Sequence, residues 1–286
     1  MDVNTEKYEL AKKLYLEGNS LTKIQKMIGI ERHRLSYLLQ KDNIKVIQNG
    51  AKYDYIEDAF DTIDTQEKAY WLGFLYADGN IIPYGKYEVK ISLAYKDLEH
   101  VKKFGDFILK DNNGEQLVRH YTAKIKGKEY PSAKVCVTNK KIVTDLISLG
   151  CTENKSLTLK FPSENQVPSG LIRHFVRGYF DGDGCIGTPR YGYQNKSCDG
   201  QLRKNGRTVS FVGTYDFLQS LLDIFANTVC TDFGAIGLYQ KQNQQAWQFS
   251  KTKYSANQEI YEYLYKDATI YLERKREKFA SLYGNL

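Results

Sequence analysis

Two stretches of this chain carry one pattern, 105 residues apart: Trp71-Leu72-Gly73-Phe74-Leu75-Tyr76-Ala77-Asp78-Gly79 and Val176-Arg177-Gly178-Tyr179-Phe180-Asp181-Gly182-Asp183-Gly184. Each reads as a largely apolar helix with small residues four apart, Gly73 with Ala77 and Gly178 with Gly182. At helical spacing such residues share one face, and without bulky side chains two helix backbones can approach closely. Gly73, Ala77, Gly178 and Gly182 are therefore the expected helix interface. Gly79 and Gly184 fall where each helix stops, a position that commonly takes a left-handed conformation. Asp78 and Asp183 then sit in last turns, where the helix dipole is negative and the final carbonyls lack partners. Side-by-side packing brings the two carboxylates together and sharpens the conflict. A hard divalent cation such as Mg²⁺ relieves it, and can also take nearby backbone carbonyls, here those of Ala77 and Gly182. A single Asp-Gly after a core helix is an ordinary turn; the doubling is what points to a site.

The repetition extends beyond the helices. The first half, residues 66–161, reads as helix 66–78, strands near 80–84 and 87–95, helix 97–109, strands near 115–126 and 129–138, and helix 139–149. The second, residues 162–286, reads as helix 169–183, strands near 185–193 and 206–213, helix 215–229, strands near 235–241 and 245–250, helix 254–265, and a closing helix near 271–282. Pro162 and Pro168 punctuate the join. The fold class is α+β.

Ahead of the repeat, residues 1–46 read as a small all-α module of three short helices. Ser20 looks like an N-cap for Leu21–Ile28, Gly29 permits a tight turn, and Leu35, Leu38 and Leu39 face inward on the third helix. Short helices joined by a glycine turn form the helix-turn-helix pattern. Arg32, His33, Arg34 and Tyr37 crowd the outer face near the N-terminal end of the third helix, where a recognition helix meets base edges and phosphates. The module is similar to helix-turn-helix segments of resolvase type. Residues 47–65 show no clear period and read as a tether.

Composition narrows the partner. With 41 basic and 34 acidic residues the chain carries +7, which favours a polyanion without proving one. Five cysteines include no C-x-x-C pair, so neither a disulfide framework nor a zinc knuckle is expected. The start, MDVNTEKYEL, has no basic n-region or apolar h-region, and no apolar run approaches the length of a membrane span. The expectation is a soluble intracellular protein, cytoplasmic, with no membrane partner and no small-molecule substrate.

The paired motifs resemble the LAGLIDADG homing endonuclease family over roughly residues 66–286. The resemblance implies two pseudo-symmetric αββαββα halves whose sheets form a saddle over DNA, and a monomer, since both halves lie in one chain. It implies that the acidic residue near each helix end binds catalytic metal, which by position falls on Asp78 and Asp183. Tyr76 departs from the motif, which has Asp there. Family members often place a lysine near the metals after the last helix of each half. Those segments read Asn154-Lys155-Ser156-Leu157 and Arg274-Lys275-Arg276 here, making Lys155 and Lys275 candidates to stabilise transition-state charge or polarise the attacking water. The segments LTLKFP and YLERKREKF also look like family sequence. The implied reaction is phosphodiester hydrolysis on both strands of a long asymmetric double-stranded DNA target, leaving short 3′ overhangs.

Alternate side chains of a strand point one way, so a sheet can offer a basic face to DNA. Candidates in the first half are Lys86, Lys90, Arg119, Lys124, Lys126 and Lys134, with Lys128 beside them. In the second they are Arg190, Arg203, Arg207 and Lys241, with Lys196 and Lys204, and Gln242 and Gln244 as amides able to pair with adenine. Two other readings of the same fold stay open: a DNA-binding regulator that has lost cleavage, and an RNA-splicing maturase. An intein is disfavoured, because no N-terminal Cys or Ser and no terminal His-Asn flank the repeat.

Overall fold

The computed structural model describes residues 5–44, 46, 53–187, 208–229, 237–240 and 246–283. The chain divides into two compact units, Met1–Tyr53 and Asp54–Leu286.

The first unit holds α1 (Thr5–Leu16), α2 (Leu21–Ile28) and α3 (Arg32–Lys41). Ser20 caps α2 by accepting from the Lys23 N–H, and Gly29 ends it at φ 78°, the left-handed region that favours glycine. Ala11, Ile24, Ile30, Leu35, Leu39 and Val46 make its core. Leu38, expected inward, is only half-buried. Its carbonyl accepts from the Tyr8 hydroxyl (3.0 Å), which also reaches the Asp42 carboxylate (2.8 Å), itself paired with Lys12 at 2.6 Å.

The second unit repeats one sequence of elements. Its first half runs α4 (Gln66–Asp78), β1 (Gly79–Ile82), β2 (Glu88–Ala94), α5 (Leu98–Ile108), β3 (Arg119–Ile125), β4 (Lys128–Thr138) and α6 (Lys140–Ser148). Its second half runs α7 (Ile172–Asp183), β5 (Cys185–Gly187), β6 (Thr208–Gly213), α8 (Tyr215–Ile224), β7 (Tyr239–Gln240), β8 (Trp247–Lys251) and α9 (Tyr254–Tyr265), closed by α10 (Glu273–Tyr283). Both halves are αββαββα, and the antiparallel sheets have matching orders, β1-β2-β4-β3 and β5-β6-β8-β7. In the first sheet Val89, Ile91, Ala133, Val135 and Val137 bury one face; Val209, Phe211 and Phe249 do so in the second. Among the described residues no helix is long and apolar enough to cross a membrane.

Residues 54–65 do not behave as the expected tether. Ile56 N–H bonds to the Ile108 carbonyl, Lys110 N–H bonds to the Asp54 carbonyl, and Tyr55 bridges Leu109. Tyr55, Ala59, Phe60 and Ile63 are buried. Their apolar positions follow no helix or strand period because they lie in turns, an isolated bridge and irregular chain, so periodicity could not reveal them.

The middle of the unit is the α4–α7 pair. Ala69–Tyr76 and His174–Asp181 are buried without interruption, as in helices covered on every side. A Cβ on Gly73 would lie 2.0 Å from the Phe175 carbonyl oxygen, and one on Gly178 would lie 2.0 Å from that of Tyr70. The exchange is reciprocal, as a local two-fold demands. A Cβ on Gly182 would lie 2.3 Å from the Ala77 Cβ.

Gly79 and Gly184 correct the sequence expectation. Their φ values are −74° and −68°, so neither is left-handed. What demands glycine is space: a Cβ would lie 2.4 Å from the Leu75 carbonyl oxygen at position 79 and 2.1 Å from the Phe180 ring at 184.

Gly178→Ala tests the close approach. Relieving a helical glycine gains about 1 kcal/mol in open space, whereas the clash should cost about 3 kcal/mol or more. Chemical denaturation should therefore show a large net loss, and equal or higher stability would contradict the packing.

Candidate active site

Asp78 and Asp183 end the two packed helices. The Asp78 Oδ2 lies 3.4 Å from where a Gly182 Cβ would be, against the backbone that leads into Asp183. Asp78 keeps access to solvent, yet the helix ends crowd it. That burial, followed by the like charge of Asp183, pushes its carboxyl up to about 6, against the opposing pull of Lys275, Lys155 and Arg274. Two carboxylates and two lysines thus act on one point.

The lysines arrive from different directions. Lys155 opens a short 3₁₀ turn after Asn154, which is left-handed at φ 50°. Its buried ammonium donates to the Gly79 carbonyl. Lys275 follows α9, the last helix of its half, and lies within the first turn of the closing helix α10. Its ammonium donates to the carbonyls of Phe180 (2.7 Å), Gly182 (2.8 Å) and Gly184 (2.6 Å). Burial pulls its pKa down to about 8. Both ammonium groups donate to carbonyls gathered at a helix end, and both offset the negative end of a dipole. The flanking arginines are engaged elsewhere: Arg274 pairs with Asp97 at 2.6 Å, and the Arg276 guanidinium lies 4.4 Å from the centre of the Tyr271 ring.

The donor set suits a hard cation. Among the described residues no group of three or more His, Cys, Asp or Glu side chains is placed to hold a metal ion. Asp78, whose ionisation is held back by burial and then by the charge of Asp183, and Asp183 beside it offer the hard oxygens that suit Mg²⁺, which keeps several waters and takes its remaining oxygens from one or two carboxylates and a phosphate. The Gly182 carbonyl, expected as a ligand, accepts from Lys275; its second lone pair is the one left for a cation.

The sheet residues divide. By register Lys90, Arg119 and Lys134 fall on the face opposite the core, with Ser92, Tyr121 and Cys136. Lys134 lies 5.2 Å from the Tyr121 ring centre, and the Tyr121 hydroxyl meets Ser92 at 2.6 Å. Lys124 does not join them. It lies opposite Glu129, pairs with it at 3.2 Å, and has the parity of the core face, so the expectation of a shared basic face fails for this residue. Lys126 and Gly127 form the hairpin tip, at φ 49° and 76°, and Lys86 is exposed in the β1–β2 turn. In the first unit His33, Arg34 and Tyr37 are exposed, and Arg32 is partly so. Arg190, Lys196, Arg203, Lys204, Arg207, Lys241, Gln242 and Gln244 lie outside the described residues.

Sequence reasoning passed over Asp181, although it stands inside the motif. Its fully buried carboxylate accepts from the Tyr70 hydroxyl (2.8 Å), the Tyr265 hydroxyl (2.6 Å) and the Leu272 N–H (2.7 Å). Arg177, also buried, lies over the Tyr70 ring.

The raised Asp78 carboxyl fixes the sign of a pH effect. A folded-state pKa near 6, above the ordinary 3.8, means the folded protein holds this proton longer than the unfolded chain. Its contribution is most favourable below about pH 4 and is lost as pH rises through 6. Asp78→Asn should stabilise the metal-free protein at pH 8 by about 1 kcal/mol, discounted because the carboxylate meets solvent. The gain should vanish near pH 3.5 in thermal melts; a variant less stable at pH 8 would contradict the crowding.

No protein-family model matches the chain, and no curated protein matches it. Solved structures do resemble it. The homing endonuclease I-WcaI bound to its DNA recognition sequence is 15% identical, with a TM-score of 0.46, over 83% of this chain and 97% of that one. The I-SmaMI LAGLIDADG homing endonuclease bound to cleaved DNA is 13% identical, with a TM-score of 0.43, over 76% of this chain and 87% of that one. I-SmaMI bound to uncleaved DNA in the presence of calcium ions is 10% identical, with a TM-score of 0.42, over 66% and 80% of the two chains.

Proposed function

We propose that this chain is a site-specific, divalent-metal-dependent double-strand DNA endonuclease of the LAGLIDADG homing type, acting as a monomer. The observation that carries the reading is the convergence of Asp78, Asp183, Lys155 and Lys275 at the ends of two helices in backbone contact.

Asp78 and Asp183 would hold Mg²⁺, with the Gly182 carbonyl, and that of Ala77, as further oxygens. When bound, the metal supplies an activated water and stabilises the leaving oxygen of the phosphodiester. The chain's own residues do the rest. Lys155 and Lys275 place positive charge where the attacked phosphate becomes more negative. The two-fold relation of the halves presents one lysine to each strand. The outward face of the first sheet, through Lys90, Arg119 and Lys134, holds the duplex by phosphate and base-edge contacts. Lys86 and Lys126 extend that surface from the turns, and Arg32, His33, Arg34 and Tyr37 of the first unit add a second point of attachment. Because the halves differ in sequence, the target is asymmetric.

A cleavage selection on randomised duplex DNA with Mg²⁺ should enrich one long asymmetric site. At that site Asp78→Asn and Asp183→Asn should each lower cleavage by at least about a thousandfold, the scale on which an essential electrostatic group acts, while binding in calcium persists. Binding without cleavage by the unaltered protein would make it a regulator instead. Deleting residues 1–46 should weaken binding about a hundredfold, as loss of a tethered module does, and leave the cut positions unchanged. Altered cut positions would overturn the auxiliary role given to that unit.

A further inference from the structure

We infer that Tyr76 and Asp181 are positioning residues, each tying down the chain segment that brings its own half's lysine to the helix end. The inference deepens the endonuclease reading, since Lys155 and Lys275 are the cations proposed to act on the phosphate. Tyr76 and Asp181 occupy the same place in the two motifs, two residues before Asp78 and Asp183. Both are buried, and the hydrogen bonds they make run to helix ends and core side chains.

In the second half the Asp181 carboxylate accepts from the N–H of Leu272 at 2.7 Å. The Leu272 carbonyl in turn accepts from the N–H groups of Lys275 (3.0 Å) and Arg276 (3.1 Å), which starts α10. One residue therefore joins the motif helix to the turn that carries Lys275. In the first half the Tyr76 hydroxyl donates to the Leu149 carbonyl. The chain closes tightly there: Gly150 is left-handed at φ 91°, and a Cβ on it would lie 2.3 Å from the Tyr76 hydroxyl. Cys151 then bonds back through its N–H to the Leu146 carbonyl at 2.8 Å, and Lys155 follows four residues later.

The opposite polarity of the two side chains has a physical reason. Leu149 ends α6, and a helix C-terminus offers orphan carbonyls, which need a donor. Leu272 immediately precedes α10, and a helix N-terminus offers orphan N–H groups, which need an acceptor. Tyrosine suits the first and aspartate the second. Tyr76, which departs from the motif when read as sequence, performs the same task as Asp181 with the donor and acceptor exchanged.

The test needs neither DNA nor metal, so it can fail while the nuclease reading stands, and the reverse. The metal-free full-length protein is treated with an acetylating reagent, and modification is read lysine by lysine in mass spectra, with the exposed Lys160 and Lys278 as internal references. Tyr76→Phe should raise the labelling rate of Lys155 about tenfold, the factor expected for one lost buried hydrogen bond, and leave Lys275 protected. Asp181→Asn, which keeps the volume but removes the charge and one acceptor, should expose Lys275 and leave Lys155 protected. Tyr265→Phe loosens the same carboxylate without replacing it and should give a smaller rise, at Lys275 alone. That variant and Tyr76→Phe carry the test should Asp181→Asn not fold. Labelling that rises at both lysines together, or at neither, overturns the inference.

Discussion

The structure depends on two helices meeting backbone to backbone. Gly73 lies against the Phe175 carbonyl and Gly178 against that of Tyr70, with no room for even one carbon between. Any larger residue at either point would push the helices apart, and their C-terminal ends would separate. Everything at the site follows from that contact. The approach sets Asp78 beside the backbone of Gly182 and subjects it to the charge of Asp183. It also gathers two sets of carbonyls at the helix ends, to which Lys155 and Lys275 donate.

A site built this way holds opposing charges in tension. The carboxylates repel one another, the helix dipoles add negative potential, and the two ammonium groups only partly compensate. Burial makes Lys275 easier to deprotonate while it raises the affinity of Asp78 for a proton. Both shifts have the same origin, the cost of keeping charge away from water. A doubly charged cation with bound water and a phosphate oxygen, as proposed for this site, would restore the balance.

Much of this was legible in the sequence because helix packing leaves a mark at fixed spacing. Small residues four apart, twice, could be read as a close interface, and the periods of 3.6 and 2 gave the element order of both halves. The unreadable parts share a cause: they depend on what lies across space. Gly79 looked like a left-handed stop, and only the Leu75 carbonyl beside it shows that the demand is for room. Lys124 looked like its basic neighbours, but the register turns it toward Glu129. Residues 54–65 bury Tyr55 from an isolated bridge and Phe60 from a turn, neither of which has a period to detect. Asp181 stood in plain view inside the motif, yet its partners Tyr70, Tyr265 and Leu272 lie 111, 84 and 91 residues away.

The most direct measurement is anomalous diffraction from crystals of the protein with duplex target and Mn²⁺. A single cluster of anomalous density should appear between the ends of α4 and α7, with carboxylate oxygens of both Asp78 and Asp183 about 2.1 Å from metal. Metal bound elsewhere, or the two carboxylates turned away from each other with no density between them, would contradict the account.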